Sequence, residues 1–183
     1  MLLTGLLPDI TTDPAIETAT DSVEAGRSGT IVAPVGIRPP LLAAVASRAA
    51  TPLVVLTATG RDAESLTNAL ASWIPGVAML PAWETLPHER LSPQVDTMAR
   101  RIAVLRRLVH PIKGDDSAGP LSVLVVPIRA FLQPIISGLA DLEPVRVRTG
   151  DILDLTETTN RLAELGYERV DMVEGRGQMS VRG

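Results

Sequence analysis

The sequence predicts an α/β fold in which short strands form a parallel sheet with flanking helices. Two continuous apolar runs rich in β-branched residues, 53–57 and 121–126, are typical of strands buried inside such a sheet. Segments with helical spacing of apolar residues lie between them, and strands that alternate with helices favour parallel pairing. The 183 residues, 45% of them hydrophobic, suffice for one sizeable core and a small second domain.

The first half of the chain contains a polar leader followed by a regular pattern. Residues 1–29 are rich in Thr, Asp, Ser, Gly and Pro, which predicts a loose, partly disordered leader with one short helix. From Thr30 onward the expected elements are a strand at 30–33, a helix at 41–46, a strand at 53–57 covered on both faces, a helix at 62–73 and a strand at 77–80. The helix at 62–73 carries Leu66, Ala69, Leu70 and Trp73 on one face.

A long helix is predicted to follow Ser92 and Pro93. Ser92 is a suitable N-cap, and Pro93 suits the first helical position, where its missing N–H costs nothing. The spacing predicts one buried face, made of Val95, Met98, Ile102, Leu105 and Val109. A surface loop at 113–120, the strand at 121–126 and a short helix from Pro127 to Leu132 come next.

The pattern changes near residue 143, where we expect a domain boundary. Residues 145–148 alternate apolar and basic side chains, which predicts a half-exposed strand. Thr156 is a candidate cap for a helix that ends at Gly166. Two further short strands are expected at 169–173 and 178–182. The predicted domains are therefore a leader at 1–29, an α/β domain at 30–143 and the start of a small α+β domain at 144–183.

The sequence offers no credible catalytic, cofactor or metal site. The turn at 33–40, where a nucleotide-binding domain carries its phosphate loop, has one Gly, no Lys and two consecutive prolines at 39–40 that lack amide donors. Arg38 is interpreted as a solvated turn residue, with an anion contact as the alternative. His88-Glu89 lacks the second His of a zinc-protease motif. The chain has no Cys, no apolar run that could span a membrane and no signal peptide, which favours a cytoplasmic protein.

Two sets of arginines are candidates for binding a partner. Arg100, Arg101, Arg106 and Arg107 fall mostly off the predicted buried face, which favours a solvated helix face, with a contact to DNA or to an acidic partner as the alternative. Arg176 and Arg182 flank a glycine-rich segment predicted to be a hairpin, and the Arg fork is well suited to carboxylates in an interface. The formal net charge of −4 argues against a dedicated nucleic-acid surface.

Two stretches of the chain resemble the bacterial transcription-repair coupling factors, whose amino-terminal part is related to the excision-repair subunit UvrB. The first is Trp83-Glu84-Thr85-Leu86 with Ser92-Pro93, and the second is Gly166-Tyr167-Glu168-Arg169-Val170-Asp171 with Val181-Arg182-Gly183. UvrB has a working phosphate loop and a tyrosine-rich stretch after its equivalent of Trp83, and this chain has neither. The resemblance, which extends over 29–183, is therefore to the coupling factors.

The resemblance implies a helicase-like α/β domain that has lost its phosphate loop, followed by the start of a domain that docks onto UvrA in nucleotide excision repair. Arg182 matches an Arg of that docking surface, whereas Arg176 has no matching Arg. The chain itself would be non-catalytic and hold no cofactor. The parent protein would be an ATP-dependent translocase with RNA polymerase and double-stranded DNA as further partners. Two alternatives stay open: a small anion- or nucleotide-binding α/β enzyme, and a DNA-binding fragment that uses the Arg100–Arg107 helix face.

Overall fold

The computed structural model describes residues 2–85, 93–115 and 117–182, and its centre is a three-stranded parallel sheet in the order β1-β3-β2. The strands of this sheet are β1 Leu53–Thr57, β2 Val77–Met79 and β3 Val123–Pro127. The α-helices are α1 Leu7–Thr11, α2 Pro14–Glu24, α3 Arg38–Arg48, α4 Gly60–Ala71, α5 Val95–Val109, α6 Ile128–Phe131 and α7 Leu155–Glu164. Two further strands, β4 Glu168–Arg169 and β5 Gln178–Met179, pair with each other in parallel. The predicted α/β class with a small parallel sheet is confirmed.

The core is aliphatic and is organised around β3. Every residue of this central strand is buried, as its continuous apolar sequence predicts. On one face, Val123 and Val125 pack with Leu70 of α4 and Ala43 of α3. On the other face, residues 124 and 126 pack with Val104 of α5, so two apolar layers cover the central strand.

The edge strand β1 differs from its prediction. Its sequence predicts a strand covered on both faces, but burial alternates along it, and Val54 and Leu56 are 52% and 47% exposed. These two residues lie level with Leu124 and Val126 of β3, whose side chains are buried. The outer half of this sheet face is therefore apolar and open, and only the inward half of the prediction is confirmed.

The prediction of a loose leader with one short helix is wrong for residues 4–24, most of which are helical, whereas residues 25–29 are irregular and exposed. Asp13 caps α2 by accepting hydrogen bonds from the amides of Ala15 and Ile16, at 2.9 and 3.3 Å. Leu7 is 5% exposed in the core cluster, and Arg48 of α3 pairs with Asp21 and Glu24 of α2. These non-local contacts order a segment whose composition resembles a loop. The strand predicted at 30–33 does not form, and this stretch is an irregular connection to α3.

The structure also corrects the start and the buried face of α5. The helix begins at Val95 and not at Pro93, Gln94 is its N-cap residue, and Ser92 lies outside the described residues. Its buried residues are Thr97, Arg101, Val104 and Leu105. Of the predicted face only Leu105 is buried; Ile102 is half-buried, and Val95, Met98 and Val109 are 45%, 38% and 57% exposed. The apolar spacing identified the helix but not its orientation.

The chain beyond residue 143 is mostly irregular, apart from α7 and the small β4–β5 sheet. The strand predicted at 145–148 is absent. Asp154, and not Thr156, caps α7 by accepting a hydrogen bond from the Glu157 amide at 2.8 Å. Gly166 follows the helix with φ of 86°, as a C-cap glycine should. The predicted strands at 169–173 and 178–182 shorten to two residues each, and their parallel pairing excludes a hairpin between them.

None of the helices in the described ranges combines the length and apolar character needed to cross a bilayer.

Leu7→Ala tests the docking of the amino-terminal helices. Leu7 is almost fully buried, so its truncation leaves a cavity, and we expect a loss of about 2–4 kcal/mol in the free energy of unfolding. Its neighbour Leu6 is 49% exposed, and Leu6→Ala should change that free energy by about 0.5 kcal/mol or less. Urea denaturation measures both variants. Equal midpoints for the two would contradict the packing of α1 against the core.

Candidate protein-docking site

The docking segment, residues 166–182, forms a small parallel unit at the end of the described chain. The amide of Glu168 donates to the carbonyl of Gly177 at 2.8 Å, and the amide of Val170 donates to the carbonyl of Met179 at 2.9 Å. The turn before β5 is closed by the Gln178 side chain, whose Oε1 accepts from the amides of Glu174 and Gly175 at 2.9 and 3.0 Å. These bonds give the segment one backbone conformation although only Met179 in it is buried.

Arg182 and Arg176 are both exposed in this segment, but different elements hold them. Arg182 Nη2 donates to the carbonyl oxygen of Asp171 at 3.1 Å, just beyond β4. Arg176 Nη1 lies 3.0 Å from Asp96 Oδ1 in the first turn of α5, and its side chain is 68% exposed. Each guanidinium therefore has one intramolecular partner and further N–H donors exposed to solvent. Such donors are suited to bind carboxylates of another protein.

The Trp83-Glu84 motif is fastened to α5 and α6. The Gln133 side chain pairs with the backbone of Trp83: its Oε1 accepts from the Trp83 amide at 2.7 Å, and its Nε2 donates to the Trp83 carbonyl at 3.2 Å. The Glu84 carboxylate accepts a hydrogen bond from the Thr97 hydroxyl, and Arg129 donates to the Glu84 carbonyl at 3.1 Å. The rest of this motif, Leu86 and Ser92, lies outside the described residues, as do His88 and Glu89.

The Glu84 side chain binds α5 in its ionised form, as a carboxylate that accepts the hydrogen bond from the Thr97 hydroxyl. Partial burial alone would raise the pKa of Glu84, but hydrogen bonds from the Thr97 hydroxyl and from the backbone amides of Glu84 and Gln94 outweigh it. The pKa of Glu84 therefore lies below its ordinary value. An ionised carboxylate next to Gln94 and Thr97 also complements the positive end of the α5 dipole.

Arg101 is the one buried charged residue in the described part of the chain. Its side chain is fully buried, its guanidinium carbon lies 4.4 Å from the centroid of the Trp83 ring, and Nη1 donates to the Pro81 carbonyl at 2.6 Å. Burial lowers the pKa of this guanidinium, although Arg stays charged at neutral pH. Periodicity missed Arg101 because it counts only apolar residues, and a Trp–Arg pair 18 positions apart gives no local signal.

The arginines of α5 do not form the solvated face that their sequence spacing favours. Arg100 is exposed but pairs with Asp96, at 2.7 Å between Nε and Oδ2. The Arg106 side chain is 15% exposed and donates to the carbonyl of Leu142 at 3.1 Å, while Arg107 donates to Gly119 O at 2.8 Å. With Arg101 buried, this helix does not present four free cations, which removes the observation behind the DNA-binding alternative.

The turn at 33–40 is not shaped as a phosphate loop. It does not follow a strand of the sheet, because 30–34 is irregular, and it consists of a short 3-10 helix Val35–Ile37 that leads directly into α3. Two prolines occupy the first turn of α3 and remove amide donors there. Arg38 is the first residue of this helix.

A cleft of about 440 Å³ opens where the three strands end. Glu64, Glu84, Arg100 and Arg129 are among its lining residues. Both arginines are already engaged, Arg100 by Asp96 and Arg129 by the Glu84 carbonyl. The start of α4 beside this cleft is capped by Thr59, whose hydroxyl oxygen accepts from the Asp62 amide at 3.1 Å. Among its described lining residues the cleft therefore has two carboxylates and two arginines that already have intramolecular partners.

A loop carboxylate and α5 attach the connection at 139–146 to the α/β domain. Asp115 Oδ1 accepts hydrogen bonds from the Ser117 amide and hydroxyl and from the Ala118 amide, and Arg146 Nη1 lies 3.2 Å from Asp115 Oδ2. The Ser117 and Ala118 bonds hold the pKa of Asp115 at about 2, below its ordinary 3.8. His110 and Asp141 form a further hydrogen bond of 2.7 Å between Nε2 and Oδ1.

Comparison with known sequences identifies the class of the docking segment. Residues 145–183 match the family described as the UvrB interaction domain, a range that contains α7, β4 and β5. A related sequence is the UvrABC system protein B of Vibrio parahaemolyticus, which is 27% identical over 154 residues, or 78% of this chain and 22% of that protein.

Two mycobacterial coupling factors are more similar to this chain than that protein is. Those of Mycobacterium bovis and Mycobacterium tuberculosis are 47% identical over 157 residues, which is 84% of this chain. That of Escherichia coli is 27% identical over 145 residues, 78% of the chain. The chain is a homologue of the transcription-repair-coupling factors over most of its length, and the resemblance found in the sequence is confirmed. It spans about 12% of the length of these relatives.

Arg101→Ala tests the buried attachment of α5. The change removes the contact with the Trp83 ring and the bond to Pro81 and leaves a cavity, so we expect a loss of about 2–4 kcal/mol in the free energy of unfolding. Arg100→Ala removes an exposed pair from the same helix and should cost about 0.5 kcal/mol or less. Urea denaturation compares them, and similar losses would show that Arg101 is not buried in solution.

Asp115→Asn tests the low pKa of the loop carboxylate. The pKa of Asp115 is depressed in the folded chain, so its contribution to stability is fully present above the unfolded pKa and is lost as pH falls through the folded value. Between about pH 4 and pH 2 the parent chain should therefore lose more stability than Asp115→Asn does. Urea midpoints across this range measure the difference. Asp9→Asn is the control, and parallel pH profiles for parent and Asp115→Asn would refute the assignment.

Proposed function

We propose that this chain is a non-catalytic segment of a transcription-repair coupling factor and that its docking segment recruits UvrA to sites where RNA polymerase has stalled. In this proposal residues 30–143 form a helicase-like α/β scaffold with a degenerate phosphate loop. Residues 144–183 begin the UvrA-docking domain, with Arg182 and Arg176 on its surface. The parent protein is an ATP-dependent translocase on double-stranded DNA, and this chain needs no cofactor.

The observation that carries the proposal is the match of 145–183 to the UvrB interaction domain in a chain homologous to the coupling factors. The geometry of the segment supports it, because the backbone is fixed by hydrogen bonds while two forked cations remain exposed. Binding loses less free energy to ordering when the interface is already held in one conformation. UvrA therefore fits as a partner that presents carboxylates to this surface.

The non-catalytic part of the proposal is supported by the first helical turn of the α/β domain. Residues 33–40 lack the strand–loop–helix arrangement and the amide donors with which such a turn binds phosphate. The remaining alternative, a small anion- or nucleotide-binding enzyme, would have to use the cleft at the strand ends, where both arginines have intramolecular partners. Thermal stabilisation by ATP together with ATP hydrolysis would favour that alternative.

A binding titration of this chain against UvrA tests the proposal. If Arg182 contributes a carboxylate contact, Arg182→Ala should weaken binding at least tenfold, about 1.4 kcal/mol. Arg176→Ala should have a smaller effect, because the resemblance to the coupling factors gives Arg176 no matching Arg. Arg61→Ala changes an exposed arginine on α4 and serves as the matched control. Isothermal titration calorimetry gives the three affinities.

The outcomes distinguish whether UvrA is the partner from whether Arg182 lies on the binding surface. Binding that falls in Arg182→Ala and is unchanged in Arg61→Ala supports both. Equal affinity in all variants supports UvrA as the partner and moves the surface away from Arg182. Undetectable binding by a folded parent chain contradicts recruitment by this segment.

A further inference from the structure

We propose that the first turn of α5 is a seat for the turn at 174–178, and that Asp96 in this seat positions Arg176 for its partner. The seat consists of Val95 and Asp96, which contact Gly177 and Arg176 respectively. Its existence is independent of which protein binds the docking segment, whereas the positioning role rests on the proposed function. The α/β domain then acts on the docking surface directly and is more than a spacer.

The apolar half of the seat is the contact between Gly177 and Val95. A methyl group built on Gly177 would lie 2.8 Å from Val95 Cγ1, so a residue with a side chain at this position would require Val95 to move. Gly177 also has φ of 80°, a conformation that favours glycine. Val95 is the first residue of α5, so the turn rests on the end of a helix that is anchored by its buried residues.

The ionic half of the seat is a carboxylate shared between two arginines. Asp96 Oδ2 lies 2.7 Å from Arg100 Nε, four residues further along α5, and this pair leaves Oδ1 directed at Arg176 Nη1, 3.0 Å away. A guanidinium has five N–H donors in a rigid plane, and the Arg176 side chain stays 68% exposed. Asp96 therefore fixes the plane of Arg176 without covering it, which is positioning and not occlusion.

Hydrogen bonds link the turn at 174–178 to β4, and the residue two positions after β4, Asp171, contacts Arg182. Glu168 of β4 donates to the carbonyl of Gly177 itself, and Val170 donates to Met179. The backbone carbonyl of Asp171, the next residue in the chain, accepts hydrogen bonds from the Arg182 guanidinium and from the Ser180 hydroxyl. A displacement of the turn from α5 would therefore disturb the segment that carries both candidate arginines.

Hydrogen exchange tests the seat without any partner. We expect Asp96→Asn to speed amide exchange in residues 166–182 by about two- to fivefold, the size of effect given by an exposed ion pair. Gly177→Ala should speed it further, because it combines the Val95 clash with an unfavourable φ. Val95→Ala should restore part of the protection lost in Gly177→Ala. It should restore none in Gly166→Ala, where φ is 86° and no atom lies within 4 Å.

Calorimetric titration with UvrA tests the positioning role on the same variants. Asp96→Asn should weaken binding by about two- to fivefold in the parent chain and have no effect when Arg176 is already Ala. Glu17→Gln, the same loss of charge in the first turn of α2, is the matched control and should bind as the parent does.

Each outcome decides one part of the inference. Unchanged exchange in Asp96→Asn, together with no rescue of Gly177→Ala by Val95→Ala, overturns the seat. Equal or tighter UvrA binding by Asp96→Asn overturns the positioning role and shows that the pair occludes Arg176. A parent chain that shows the exchange effects but does not bind UvrA supports the seat and refutes the proposed function instead.

Discussion

The burial of Arg101 beneath the Trp83 ring is the interaction on which the arrangement of this chain depends. A guanidinium removed from water is costly unless its surroundings compensate it. Here the face of the Trp83 ring and the Pro81 carbonyl compensate part of that cost, while Nε and Nη2 have no hydrogen-bond partner among the described residues. Because Arg101 lies on α5 and Trp83 follows β2, the pair fixes the helix against the loop at the strand ends. The connection at 139–146 and the turn at 174–178 both attach to the helix so placed.

With α5 held in this position, its other charged side chains contact groups of the same chain. Asp96 is divided between Arg100 and Arg176, and Arg106 holds the Leu142 carbonyl. Because these arginines donate to carboxylates and carbonyls of their own chain, fewer of their N–H groups are left for phosphates, and the net charge of −4 also disfavours a phosphate-binding surface. Arg106 therefore connects α5 to residues 139–146, and Asp96 connects it to Arg176, while the other basic residues of α5 bond within the α/β domain.

The sequence predicted the elements whose stability is local and missed those held by distant contacts. The strands at 53–57, 77–80 and 121–126 were predictable because each is a short apolar run between breaking residues. The orientation of α5 was not, because Thr97 and Arg101 take buried positions that an apolar count assigns to Val95 and Met98. The packing of the helices at 4–24 likewise comes from Leu7 and from the Arg48 pairs with α2, which composition does not reveal. For the candidate docking site, the motifs indicated the segment that matches the UvrB interaction domain, and the role of Arg182 stays a prediction. Sequence motifs could not show that Arg176 pairs with Asp96, because Asp96 lies in another part of the chain.

The distribution of burial explains why a docking segment here needs the α/β domain. Between 144 and 182 only Met179 is buried, and each strand has two residues, so the segment by itself removes little apolar surface from water. Its order therefore depends on attachments to the better packed half, and among the described residues these include the ion pairs of Arg146 with Asp115 and of Arg176 with Asp96. An interface assembled this way is ordered by the folding of its neighbour before any partner arrives, which lowers the entropy lost on binding. The same dependence means that changes in α5, distant in sequence from the docking surface, are transmitted to it.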